Sequence, residues 1–117
     1  MVAFDVTDDD LCVVKREADV VSLLKAAAHP DRLRILNVLL ESRMDGHAAL
    51  TITDVAHRVE LSRFSASRHL GVLADARLVR AVIDGNRRLQ ELCIESFEAI
   101  EDWVIDFTGP LATNESR

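Results

Sequence analysis

Residues 53–74 read TDVAHRVELSRFSASRHLGVLA, and their spacing decides the fold. Thr53 is a good N-cap for a short helix through about Val59, with Val55, Ala56 and Val59 on its inner side. After a tight connection Ser62 is the next N-cap. On the helix it starts, Ala66, Leu70 and Leu73 recur at i, i+4 and i+7. Two short helices joined by a turn of about three residues make the helix-turn-helix pattern, and the second of them is the one that enters the major groove of DNA. Arg63, Ser67 and Gly71 fall on one line of this helix, and Phe64 and Arg68 on its neighbour. Both lines oppose the apolar set, so they face outward.

Downstream, Leu78 to Ile83 is β-rich, and Asp84-Gly85-Asn86 carries the Asp-Gly pair of a tight hairpin turn. Arg87 to Cys93 returns as the second strand. A hairpin in this place is a wing, over 79–92. Strand alternation sends Arg87 and Arg88 to opposite faces, so only one of them is expected on DNA; Arg80 lies on the facing strand. The last helix starts at Ser96, with Phe97, Ile100, Val104 and Phe107 in an apolar stripe and Trp103 beside it. Thr108-Gly109-Pro110 is expected to stop it.

Upstream, Val20, Leu23, Leu24 and Ala27 form a helical stripe from Asp19. His29-Pro30 ends that helix, and Pro30 suits the first turn of the next, whose stripe is Leu33, Leu36 and Leu40. Asp45-Gly46 breaks the chain, and Leu50-Thr51-Ile52 is a short apolar run of strand character. The fold expected is mainly α with a β-hairpin wing, a winged helix-turn-helix in the order helix, helix, strand, helix, helix, hairpin, helix. The layout is an acidic N-terminal arm over 1–18, a DNA-binding and dimerisation domain over 19–108, and a tail over 109–117.

Composition agrees. A chain of 117 residues with 49% apolar and 29% charged residues is one globular domain. No window approaches the roughly 18 consecutive apolar residues of a membrane span. The first residues lack the basic and apolar regions of a secretory signal, so a cytoplasmic location and no membrane partner are expected. Aromatic residues make up 4% with no Tyr, which disfavours a stacking platform for single strands. The net charge of −6 argues against nucleic acid until its distribution is read. Residues 57–88 hold seven Arg (Arg58, Arg63, Arg68, Arg77, Arg80, Arg87, Arg88) against Glu60, Asp75 and Asp84, a net of +4 that leaves −10 elsewhere. Arg suits phosphate and base edges better than Lys does. No Gly-rich phosphate loop, G-x-S-x-G or H-E-x-x-H occurs, so an enzyme is not expected and no cofactor is implied.

Three stretches resemble the ArsR/SmtB family of winged-helix repressors. Residues 24–36, LKAAAHPDRLRIL, are similar to the family's opening. Residues 61–70, LSRFSASRHL, resemble its recognition helix, written L-S-Q-P-x-V-S-x-H-L. Leu78-Val79 with Asp84-Gly85-Asn86-Arg87 resembles its wing. The resemblance covers 20 to about 107. It implies a homodimer built on the first and last helices, which presents two recognition helices to double-stranded DNA at an imperfect palindrome, represses, and releases on binding an effector. The DNA-binding residues so implied are Ser62, Arg63, Phe64, Ser65, Ser67, Arg68 and His69 on the recognition helix 62–74, with Arg80, Arg87 and Arg88 on the wing. His69 matches the family's His and is expected to brace the helix or meet a phosphate. Phe64 replaces a small residue or Pro and either touches a thymine methyl or, the reading preferred here, packs against the preceding helix. Arg77 stands where Gly often precedes Leu-Val, and Gln90 where Tyr is common.

The dimer is expected to use Val20, Leu24, Phe97, Ile100, Trp103, Val104 and Phe107, some of which must instead cover the monomer core. Where metal-sensing relatives have Cys-x-Cys this chain has Thr51 and Thr53, and hydroxyls are poor ligands for soft metals. Residues 95–107 hold no His, only Glu98, Glu101, Asp102 and Asp106 among acids near Glu95, and Asn37 takes the place of a dithiol-sensing Cys. No metal site is expected. Cys12 and Cys93 either meet as a redox pair or, the reading preferred here, are an arm thiol and an inert small hydrophobe. An unidentified small-molecule or redox effector stays open. The rival to a DNA-binding regulator is a winged-helix module for protein–protein contact, which the acidic remainder of the chain would permit.

Overall fold

His29 and Pro30 set the frame of the fold. Pro30 opens a helix at a position that needs no N–H, and His29 caps it, its Nδ1 accepting the Asp31 N–H at 3.1 Å. The computed structural model describes residues 16–46 and 49–115. Its elements are α1 (Arg16–Ala27), α2 (Pro30–Met44), β1 (Leu50–Thr51), α3 (Ile52–Val59), α4 (Arg63–Asp75), β2 (Val79–Asp84), β3 (Arg87–Leu92) and α5 (Ile94–Glu115). The expected order of elements is therefore the observed one. The strands form one antiparallel sheet in the order β1-β3-β2, with Val79 opposite Leu92, Ala81 opposite Gln90 and Asp84 opposite Arg87. β1 joins the hairpin by pairing Leu50 with Gln90 and Thr51 with Leu89.

The core lies where α1, α2, α3 and α4 meet the base of the sheet. Leu23, Ile35, Leu39, Val55, Leu73 and Leu78 are fully enclosed there. Each such side chain contributes about 1.5–3 kcal/mol relative to exposure. α4 turns Ala66, Leu70 and Leu73 inward, as its spacing requires.

Four boundaries differ from the sequence reading, the first being the start of α1 at Arg16 rather than Asp19. The cap of α3 is Thr51, not Thr53. Its Oγ1 accepts the Asp54 N–H at 3.1 Å, and the Asp54 carboxylate accepts the Thr51 N–H at 3.3 Å. That is a capping box, and only Thr51 has an acid three residues on. α5 begins at Ile94, two residues before Ser96. It also runs through Thr108-Gly109-Pro110 to Glu115, so residues 109–115, read as tail, continue the helix. Proline withholds only one N–H, and a 22-residue helix carries that loss. The acidic arm, with Cys12, lies outside the described residues except where α1 begins at Arg16.

Two non-glycine residues hold positive φ. Glu60 (φ 59°) ends α3 and makes the turn of the helix-turn-helix. Arg77 (φ 66°) links α4 to the wing, and its carbonyl accepts the Ser96 hydroxyl at 2.5 Å. A side chain in this region costs about 1–2 kcal/mol, part of which Gly returns as unfolded-state entropy. Arg77→Gly is therefore expected to raise the unfolding free energy by about 1 kcal/mol. Urea denaturation checks this, and a loss of stability would contradict the strain.

Candidate nucleic-acid interface

Ser62 caps α4, its Oγ accepting the Ser65 N–H at 3.0 Å. The cap fixes where the helix starts, and with Ala66, Leu70 and Leu73 buried the rest of the circumference is decided. Arg63, Phe64, Ser67 and Arg68 are exposed, Ser65 is half-buried, and His69 turns back toward α2. Arg63 is steadied by a hydrogen bond from its Nε to Thr53 Oγ1 at 3.2 Å. Phe64 does not pack against the preceding helix: it is 71% exposed, and the Arg68 guanidinium lies 5.7 Å from its ring centroid. The inner face is already filled by Leu61, Ala66 and Leu70, which leaves no slot for a ring. The result is a cation held over an aromatic face, both turned to solvent.

On the wing, Arg87 and Arg88 flank the turn and are both exposed. The register puts Arg88, Gln90 and Leu92 on one face with Val79, Ala81 and Ile83, and Arg87 on the other, as alternation requires. Arg80 shares the face of Arg87 and is ion-paired to Glu91, Nε to Oε2 at 2.9 Å. Its charge is already compensated.

Sequence spacing missed a cluster behind α4. His29, Asp31 and His69 bring ligand-capable atoms within 4.8 Å of one another, although His69 lies far along the chain. The rings of His29 and His69 are 4.7 Å apart. Arg32 Nη1 lies 3.3 Å from His69 Nδ1 and its Nε donates to the Ala26 carbonyl at 2.6 Å. Arg34 bonds Asp31 Oδ1 at 3.1 Å and also reaches the Val59 carbonyl. Two guanidinium groups thus hold the trio, and their charge opposes uptake of a cation there. The cluster joins α2, α3 and α4, so His69 braces α4 from its inner side. Only the opening HPDRLR and the His of residues 61–70 hinted at it, and neither stretch announces the other. Both threonines at the Cys-x-Cys positions are engaged too, Thr51 as cap and Thr53 by Arg63.

The residues read as a dimer surface divide. Val20 is buried, and Phe97 and Ile100 pack against the core. Leu24, Trp103, Val104 and Phe107 are exposed, joined by Val21 and Ile105, which the stripe reading omitted. Trp103 and Phe107 pack edge to face at 5.0 Å. Cys93 is buried and its sulfur is in a disulfide, so it is not the inert hydrophobe expected. No helix among the described residues is long and apolar enough to cross a membrane.

A helix-turn-helix with a basic outer face and an arginine-tipped hairpin defines a winged helix-turn-helix regulator. Residues 27–82 match the family described as "Helix-turn-helix domain". Reduced HlyU from Vibrio cholerae N16961 is 33% identical over 72% of this chain and 83% of that one, with a TM-score of 0.58. The antimony-specific transcriptional repressor AntR is 28% identical, over 81% of this chain and 82% of that one, with a TM-score of 0.56. The homodimeric winged helix-turn-helix DNA-binding domain of Mb0332 from Mycobacterium bovis is 24% identical, over 76% and 80%, with a TM-score of 0.59. A comparison with curated protein sequences finds no match. The chain belongs to the ArsR family of winged helix-turn-helix transcriptional regulators. That family and fold are those of DNA-binding regulators, not enzymes.

Burial, with His29 and Arg32 beside it, holds the His69 imidazole below its ordinary pKa; Asp31 pulls the other way and Arg68 adds to the depression. His69 is therefore neutral in the folded protein where the unfolded chain already takes a proton. Its contribution is present above the unfolded pKa and is lost as pH falls below about 6.5 toward the folded value. The unfolding free energy should fall over that range, and His69→Gln should flatten the fall. Parallel pH profiles in urea would refute the assignment.

Proposed function

We propose that the protein is a dimeric repressor that binds an imperfect palindrome in duplex DNA. The recognition helix enters the major groove, and the wing reaches the flanking backbone or minor groove. The observation that carries this reading is the outer face of α4. Arg63, Ser67 and Arg68 are all exposed on it beside the arginines of the wing, in a chain whose net charge is −6. Arg68 and Arg63 are the residues assigned to guanine edges or phosphates, Ser62 and Ser65 to backbone contact at the helix N-terminus, and Ser67 to the groove. Arg88 is assigned to phosphate ahead of Arg80, whose partner is Glu91. Phe64 offers an apolar edge for a thymine methyl. His69 acts from behind. The exposed apolar face of α1 and α5 is assigned to a second copy of the chain; the similarity to homodimeric Mb0332 supports this, and Trp103 and Phe107 supply its anchors. Repression is supported by the likeness to AntR.

Arg68→Ala is expected to cost about 1–3 kcal/mol of binding and to relax preference at one position per half-site. Affinity of the parent should fall steeply with salt, with a log–log slope of about −0.9 per phosphate contacted. Equal binding of parent and the Arg63→Ala/Arg68→Ala variant to the promoter of the adjacent operon would overturn the assignment. Trp103→Glu places a charge in an apolar contact at a cost of several kcal/mol, so it should sediment as a monomer. An unchanged dimer at micromolar concentration would overturn the interface.

A further inference from the structure

Between α4 and the wing lies an open cavity of about 440 Å³, its walls including Ser67, Leu70, Gly71, Val79, Arg88 and Gln90. Its volume is within the roughly 300–1,000 Å³ range of small-molecule sites. The lining is mixed in a particular way. Leu70 and Val79 form a buried apolar floor. No carboxylate lines it, and of its two cations Arg80 is paired to Glu91, whereas Arg88 has no ion-pair partner among the described residues.

Gln90 is the unusual member. It sits on the central strand β3 between Leu50 and Ala81, and is only 5% exposed. Its side-chain amide makes no hydrogen bond among the described residues. No fully shut-off polar side-chain atom there lacks a partner, so the amide faces the cavity it lines. The amide therefore meets solvent through the cavity, and a polar group of an occupant can take the place of that water. Strand alternation puts Arg88 on the same face, two residues nearer the turn.

We infer that this cavity is an effector site for a small organic carboxylate with a compact apolar body. The carboxylate meets Arg88, its body rests on Leu70 and Val79, and Gln90 donates to it from below. A DNA phosphate carries the same charge, but a duplex backbone meets exposed atoms and has no use for an apolar floor or for an amide at this depth. The occupant sits between the two elements assigned to DNA, so it opposes DNA binding, and DNA opposes the occupant to the same degree. This coupling rests on the DNA-binding reading above; the site itself does not.

The test uses the full chain, labelled with ¹⁵N, titrated without DNA with phenylacetate, benzoate, 4-methylpentanoate and inorganic phosphate. Expected is a saturable shift of the Gln90 side-chain amide with at least one of the three carboxylates and none with phosphate. Gln90→Leu, which removes the amide at nearly constant volume, should weaken that carboxylate about tenfold or more. Gly71→Leu blocks the same space from α4, where a Cβ meets nothing within 4 Å, and should do likewise should the first variant fold poorly. In a separate measurement on a duplex, the carboxylate should lower the affinity of the parent but not of Gln90→Leu. No saturable shift with any of the three overturns the site, as does phosphate binding equally well, which marks a generic anion groove. Uptake of a carboxylate by a protein that binds no duplex supports the site and overturns the DNA reading instead.

Discussion

Ala66 is completely buried in the first turn of α4, and no larger side chain would let that turn come so close to its neighbours. With Leu70 and Leu73 below it, Ala66 seats α4 against α2 and α3, and that seating depends on the left-handed turn at Glu60 between the two helices. Once one face of a helix is committed to the core, the opposite face has no freedom left. The outward lines of Arg63, Ser67, Phe64 and Arg68 follow from the inward set. The cluster of His29, Asp31, Arg32, Arg34 and His69 then fixes the remaining variable, the position of α4 along the groove between α2 and α3. A recognition surface needs this, because a shift of about 1 Å misplaces every donor it presents.

Much of this is legible in the sequence. The helix-turn-helix appears in the spacing of Ala66, Leu70 and Leu73, and the hairpin in Asp84-Gly85, because both are local patterns whose periodicity the backbone enforces. The residues on the outer face follow by subtraction. What was not legible depended on contacts across the chain. Phe64 reads as a residue that packs, and only the filled slot beneath Leu61 and Leu70 shows why it cannot. His29 and His69 carry no metal-type spacing, and their meeting is a product of how α2 crosses α4. The α5 stop signal at Gly109-Pro110 failed because a local breaker is a small cost against a long helix. Thr51 against Thr53 was within reach of the sequence, since only Thr51 has Asp54 at the capping-box distance.

The apolar residues of α1 and α5 show the same division between local and global information. Their stripes are visible in sequence, but a stripe does not say which neighbour it faces. The structure sorts them by depth: Val20, Phe97 and Ile100 close the core of the protomer, while Leu24, Trp103, Val104 and Phe107 are left in solvent. A Trp–Phe edge-to-face pair placed on the outside of a chain with few aromatics is a concentrated apolar load, of the kind that carries binding energy at subunit contacts.

The acidic balance of the chain then has a physical role alongside the basic face. A net +4 over 57–88 against −10 in the rest of the sequence concentrates positive charge on the segment that holds α4 and the wing. On the DNA-binding reading, a polyanion is drawn to that segment and not to the acidic stretches, which favours an oriented approach. The attraction is carried by few arginines, two of them already committed within the protein, Arg80 to Glu91 and Arg63 to Thr53. Those without such partners among the described residues, including Arg68 over its aromatic ring and Arg87 and Arg88 on the wing, carry a correspondingly larger share. Placing an uncompensated cation of the wing beside an unpaired amide makes one side chain serve two competing anions. A small carboxylate there need not deform the fold to release DNA: neutralising Arg88 removes attraction in the place where the acidic body leaves little to spare.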